Sequence, residues 1–108
     1  MLGNRFNDKK LRWSLVSWKA LEPLVQVLMF GAEKYDDNNW RKGLKYTETC
    51  ESLQRHLNSF IEGEDNDKES KLSHVGHILC NAMFLSYMTL FRKDLDDRYI
   101  DKNFKNDE

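Results

Sequence analysis

The run ESLQRHLNSFIEGEDNDKESKLSHVGHILCNAMFLSYMTLF, residues 51–91, decides the fold. Leu53, Leu57, Phe60 and Ile61 recur at helical spacing and form one apolar stripe. Gly63 stands just past the last periodic residue, where a helix stops. A second stripe takes in Leu72, Val75, Leu79, Met83, Phe84, Tyr87 and Leu90. Thr47 is placed to cap the first of these helices, running to Glu62, and Ser70 the second, running to Lys93. Two helices joined by a short polar run form an antiparallel hairpin, with the acidic stretch EGEDNDKE at its bend.

Outward from the hairpin, Leu21, Leu24, Val25, Leu28 and Met29 give a third amphipathic helix, which starts near residue 20 with Pro23 in its first turn and Ser17 as cap. Residues 36–43 (DDNNWRKG) have no period and read as a loop. Asp94 to Ile100 reads as a short fourth helix, and Trp13 to Val16 is the one candidate for extended structure. No strand alternation and no internal repeat is present. The reading is all-α: a small bundle of three main helices plus a short C-terminal one. Residues 1–14 form an arm, 15–93 a single domain, and 94–108 a short helix with a frayed acidic tail.

The chain has 108 residues and a mass of 12.9 kDa, which suits one domain. A chain of this size buries a modest share of its surface, so self-association is expected. A net charge of −1 argues against a bulk nucleic-acid binder. No apolar run reaches a membrane span, and the charged start MLGNRFNDKKLRW has no apolar signal core. The expectation is a cytoplasmic protein without a membrane partner, with Cys50 and Cys80 as buried free thiols. Charge is uneven: residues 1–20 carry a net excess of basic groups and residues 62–69 a net excess of acidic ones.

The residues able to carry chemistry cluster around the hairpin bend. His74 and His77, spaced i, i+3, share a helix face, and Asn81 lies one turn further along it. Two helical histidines are commonly plain core or surface residues. Here, though, Glu64, Asp67 and Glu69 directly precede them, and Arg55–His56 closes the other helix. Carboxylates suit Mg²⁺ or Mn²⁺, imidazole suits transition metals, and an arginine suits phosphate oxygens. Glu48 and Glu51 form a second acidic pair, ranked behind these because an exposed helix surface explains them equally well. In FGAEKYDDNNWRKG, Tyr35 and Trp40 offer stacking surfaces, Asn38 and Asn39 amide edges, and Lys34 and Arg41 cationic contacts. The competing reading puts Trp40 in the core with the charges solvated.

Six blocks in order carry a resemblance: W-x-L-V at 13–16, L-x-x-L-x-x-V-L-x-F-G-A-x-K-Y at 21–35, N-W-R-K-G at 39–43, R-H-L at 55–57, G-E-x-x-D-x-E-S at 63–70 and H-x-x-H-x-x-x-N at 74–81. Together they resemble the phage dATP/dGTP pyrophosphohydrolases, the MazZ-type branch of the MazG-like all-α nucleotide pyrophosphatases. The resemblance implies a homodimer or homotetramer. It also implies Mg²⁺- or Mn²⁺-dependent hydrolysis of a purine deoxynucleoside triphosphate at the α–β bond, giving monophosphate and pyrophosphate. By motif, Glu64, Asp67, Glu69, His74 and His77 are the metal residues, and Glu64, Asp67 and His56 the catalytic ones. Arg55 and Lys34 face phosphates, while Tyr35, Asn39, Trp40 and Asn81 hold the nucleoside. The broader superfamily has E-x-x-D where this chain has His74-x-x-His77. The alternative function is a non-catalytic nucleotide-binding protein that sequesters its ligand.

Overall fold

The computed structural model describes residues 1–6 and 8–104 and is helical throughout. Three α-helices carry it: α1 (Glu22–Lys34), α2 (Tyr46–Ile61) and α3 (His74–Phe91). Short 3-10 turns lie at Trp13–Leu15, Lys19–Leu21, Asn39–Lys42 and Lys93–Leu95. The central element is α3, which packs against α1 on one side and α2 on the other. The sole β-type pairing among the described residues is an isolated antiparallel bridge, Asn66 to Ser73, across the hairpin bend.

Pro23 sits in the first turn of α1, where its missing N–H costs nothing. Ser17 Oγ accepts from the Ala20 amide at 3.1 Å, so it caps the 3-10 turn that leads into α1 rather than α1 itself. At the crossing of α1 and α3, Gly76 meets Pro23: a methyl group on Gly76 would lie 2.7 Å from the Pro23 carbonyl oxygen. Glycine is thus what allows the two backbones to touch there.

The start of α2 differs from expectation. Thr47 lies inside the helix, and its amide and hydroxyl donate to Asp97 at 3.0 and 2.6 Å. A carboxylate fifty residues downstream therefore satisfies one N-terminal backbone donor of α2, the Thr47 amide. The other end follows the sequence. Gly63 adopts φ 103°, the Gly63 amide donates to Phe60 O, and the Glu64 amide donates to Ser59 O. This paired closure needs a residue with positive φ, which glycine supplies without strain.

The start of α3 also moves. Ser73 caps it, accepting from the Gly76 amide at 3.2 Å. Ser70 is instead part of the bend, where its amide donates to Asp67 Oδ2 at 2.8 Å and its hydroxyl accepts from the Leu72 amide. The helix ends at Phe91, short of Lys93, and Asp94 to Ile100 adds only the turn Lys93–Leu95. The Trp13–Val16 stretch is a 3-10 turn rather than a strand. The loop at 36–43 contains the turn Asn39–Lys42, entered through Asn38 at φ 61°. Tail residues 105–108 lie outside the described residues.

The core is thin. Among the described residues, Val27, Tyr46, Cys80 and Met88 are the buried hydrophobic ones. Tyr46 donates its hydroxyl to the Met88 carbonyl, tying the start of α2 to the end of α3. Both cysteines are free; Cys80 is buried as expected, but Cys50 is exposed. Large apolar side chains remain open to solvent along the N-terminal arm, including Trp13 and Trp18, whose rings stack at 6.4 Å. No helix is long and apolar enough to cross a membrane.

Candidate functional site

The hairpin bend folds back on itself. Asp67 N donates to Leu72 O, Lys71 N to Asp67 O, and His74 N to Asp65 O. Lys71 takes φ 64° to make this turn. The result sets Glu64 and Asp67 against the first turn of α3 and the last turns of α2. A cleft of about 650 Å³ opens here, lined by Arg55, His56, Ser59, Glu62, Glu64, Asp67, Lys68 and His74.

At its floor a hydrogen-bonded chain runs through three side chains. Glu64 Oε1 lies 2.6 Å from His74 Nε2, and His74 Nδ1 lies 2.9 Å from His56 Nδ1. His74 is 2% exposed, so its ring nitrogens need these partners. The carboxylate only accepts, which places a proton on His74 Nε2; in the neutral ring Nδ1 then carries the lone pair. His56, Asp67 and His74 each offer a donor atom within 4.8 Å of the others, close enough to share one cation.

His77 stacks on His56, ring centroids 4.2 Å apart and planes 1° from parallel. Its Nε2 meets Ser70 Oγ at 2.7 Å. Burial lowers the pKa of both His56 and His77, assisted by their histidine neighbours. Both are therefore neutral at pH 7, the form that ligates metals. Burial alone would raise Asp67, but hydrogen bonds from Ser70 and the facing His77 and His56 outweigh it and hold the carboxyl below its ordinary range.

Behind the histidine stack lies a second cavity of about 950 Å³ between α1, the 3-10 turn and α3. It gathers Lys34, Tyr35, Asn39, Trp40 and Asn81, all singled out from sequence, and His77 borders it. Trp40 is a packed wall: it stacks on Phe84 at 4.9 Å, meets Tyr87 edge-on at 4.8 Å, and carries the Arg41 guanidinium 4.6 Å from its ring. Arg41 is held there by Asn38 Oδ1, which accepts from its Nε at 2.8 Å.

Two acidic positions fall elsewhere. Glu69 points to Lys34 Nζ at 3.2 Å, an exposed pair that bridges the bend to α1. That contact raises the Lys34 pKa. Glu48 and Glu51 are exposed on α2 and absent from the lining of both cavities. Ser52, Ser70, Phe84 and Tyr87 were not singled out as site residues. Only Ser70 carried a signal, its place directly after the acidic run.

Residues 2–98 match the family described as dATP/dGTP diphosphohydrolase, N-terminal. The chain belongs to that family. It is similar to a dATP/dGTP diphosphohydrolase of Salmonella phage PMBT28, 32% identical over 98 residues. The match covers 91% of this chain and 33% of that protein, so the chain spans about a third of its relative's length. No solved structure matches. In this member of the dATP/dGTP diphosphohydrolase family, the matched region contains both cavities and the whole hydrogen-bonded chain from Glu64 to His56.

Proposed function

We propose that this chain hydrolyses a purine deoxynucleoside triphosphate, dATP or dGTP, at the α–β bond to give monophosphate and pyrophosphate. The observation that carries the reading is the adjacency of the two cavities. One is a polar cleft with imidazole, carboxylate and cationic groups; the other is larger and aromatic-walled; the His56–His77 stack lies between them. A nucleotide has the same two halves. The triphosphate would lie in the first, facing Arg55 and Lys68, and the nucleoside in the second.

The donor set fits a divalent cation, held by His56, Asp67 and His74. Two imidazoles and one carboxylate suit Mn²⁺ better than Mg²⁺, which prefers oxygen. When bound, such an ion neutralises phosphate charge and makes a coordinated water more acidic. Glu64 orients His74 by accepting from Nε2, which presents the Nδ1 lone pair to the donor cluster. Of the two cleft carboxylates outside that cluster, Glu62 and Glu64, Glu64 is the one bonded to a cluster histidine, and so the group we assign to accept a proton from the attacking water. Arg55 supplies fixed positive charge to the departing pyrophosphate. Glu69 and His77 leave the ligand set on this reading: Glu69 pairs with Lys34, and His77 with Ser70.

We also propose that the chain self-associates. The thin core and the exposed Trp13, Leu15 and Trp18 support this, because contiguous apolar surface of that kind is normally covered. The host cytoplasm, where deoxynucleoside triphosphates are held, is the proposed place of action.

The test is a product assay. The chain is incubated with each dNTP and NTP, with Mn²⁺, Mg²⁺ or EDTA, and products are separated by anion exchange. Monophosphate plus pyrophosphate from dATP or dGTP, abolished by EDTA, is the expected result. Nucleotides recovered intact under every metal would refute hydrolysis, and binding that persists in EDTA would then identify a sequestering protein.

A further inference from the structure

Asn81 is 9% exposed and sits one helical turn beyond His77 on the wall of the larger cavity. Its Nδ2 lies 3.0 Å from the His77 carbonyl oxygen and 3.2 Å from Ser52 Oγ. A backbone carbonyl only accepts, so the amide end facing His77 must be the NH₂ group. That fixes the side chain's orientation on chemical grounds, and both amide hydrogens are engaged. The opposite end, Oδ1, accepts no hydrogen bond from any described residue. It is not sealed from solvent either, since no buried side-chain polar atom lacks a partner. An oriented, unengaged acceptor therefore stands in a cavity whose lining also includes the rings of Phe84, Trp40 and Tyr87.

We infer that Asn81 Oδ1 is the base-reading acceptor of the site, and that its ligand is an exocyclic amino group of a purine. This rests on the reading that the nucleoside occupies the larger cavity. The His77 carbonyl, which only accepts, prevents the amide from turning its NH₂ toward the base, and Ser52 is a positioning residue that holds the second amide hydrogen and so the plane of the amide. An acceptor locked in this sense rewards a donor and rejects a base that lacks one, because the desolvated carbonyl is then left unpaired.

The test compares kcat/KM, and in parallel binding affinity, for two nucleotide pairs that differ by one amino group. These are dATP against 2′-deoxynebularine triphosphate, which lacks the 6-amino group, and dGTP against dITP, which lacks the 2-amino group. The expected result is a drop of roughly 10–100-fold within at least one pair. The pair that drops identifies which amino group is read. In Asn81→Ala the ratio should collapse to near one, through loss on the amino-bearing nucleotide. Ser52→Ala should lower the ratio and Ser52→Thr should retain it, which guards against a poorly folded Asn81 variant. Ratios near one in the unaltered chain, or a ratio that survives in Asn81→Ala, would overturn the inference while leaving hydrolysis intact. A chain that neither binds nor hydrolyses any of the four would overturn the functional reading and this inference together.

Discussion

Replacing Gly76 with alanine sets two physical effects against each other. Helix propensity favours alanine over glycine by about 1 kcal/mol in a helix interior. The contact with α1 opposes it. The new methyl would lie 2.7 Å from the Pro23 carbonyl oxygen, 3.0 Å from its carbon and 3.1 Å from its Cβ, and all of these belong to a rigid proline in the first turn of α1. Relief requires the two helices to separate by roughly half an ångström, and overpacking of this kind costs about 1–3 kcal/mol. The expected net effect is a loss of about 1 kcal/mol, which lowers Tm by roughly 4–8 °C for a domain of this size. Because Gly76 lies between His74 and His77, the shift also misplaces both rings, and turnover should fall by about tenfold or more. Gly31→Ala is the control: it lies inside α1 with nothing within 4 Å of the added methyl. That variant should gain up to about 1 kcal/mol. Thermal melts followed by circular dichroism, with kcat measured on the same preparations, decide the matter. A Tm for Gly76→Ala that rises alongside that of Gly31→Ala would refute the argument from the helix crossing.

Glu64→Gln keeps an acceptor for His74 but removes the charge, so kcat should fall by about 10²-fold or more with the melt little changed; near-normal turnover would remove Glu64 from the machinery. In EDTA, stability should decline on acidification from pH 7. Burial holds the folded pKa values of His56 and His77 below the ordinary histidine value of 6.5, so the unfolded chain takes up protons first as pH falls through that value. The Tm difference between pH 7.5 and 5.5 should shrink in His77→Gln, and an unchanged difference would exclude His77 as a contributor. Asp67, held low, should add a further loss only below its ordinary range near 3.8. Titration with a thiol reagent should find one fast cysteine, the exposed Cys50, while Cys80, buried and pushed up to about 12, should react only on unfolding.

Much of the fold was legible because each helix carries its own apolar stripe. The three stripes place α1, α2 and α3, and Gly63 marks the end of α2 to within a residue. Helix starts were less legible, since a cap is a geometric relation rather than a residue type. Ser70 and Ser73 are equivalent in sequence, and the turn made by Lys71 decides between them. Asp97 acts on α2 from far along the chain, which no local pattern reveals. The same holds at the site. Composition drew attention to the histidines and the acidic bend, and these do converge. That Glu69 turns to Lys34, or that Trp40 is packed against Phe84, depends on side-chain direction in three dimensions. Asn81 was singled out from its position on the helix, but the direction of its amide follows from its partners, Ser52 and the His77 carbonyl.

The Asp97 clamp also bears on the order in which the molecule assembles. The hairpin of α2 and α3 closes through neighbours in sequence, and its bend is held by bonds that span only a few residues. The first turn of α2 is different. Its Thr47 amide and hydroxyl are met by Asp97, the carbonyl of Lys42 receives Arg92 Nη1 at 3.0 Å, and Leu95 lies against Gly43. Those contacts join segments fifty residues apart, and closing so long a loop is slow compared with winding a helix. The expected order is therefore that the hairpin with its histidines forms first. On the same expectation the start of α2 is fastened last, by the segment from Arg92 to Asp97 that lies across it.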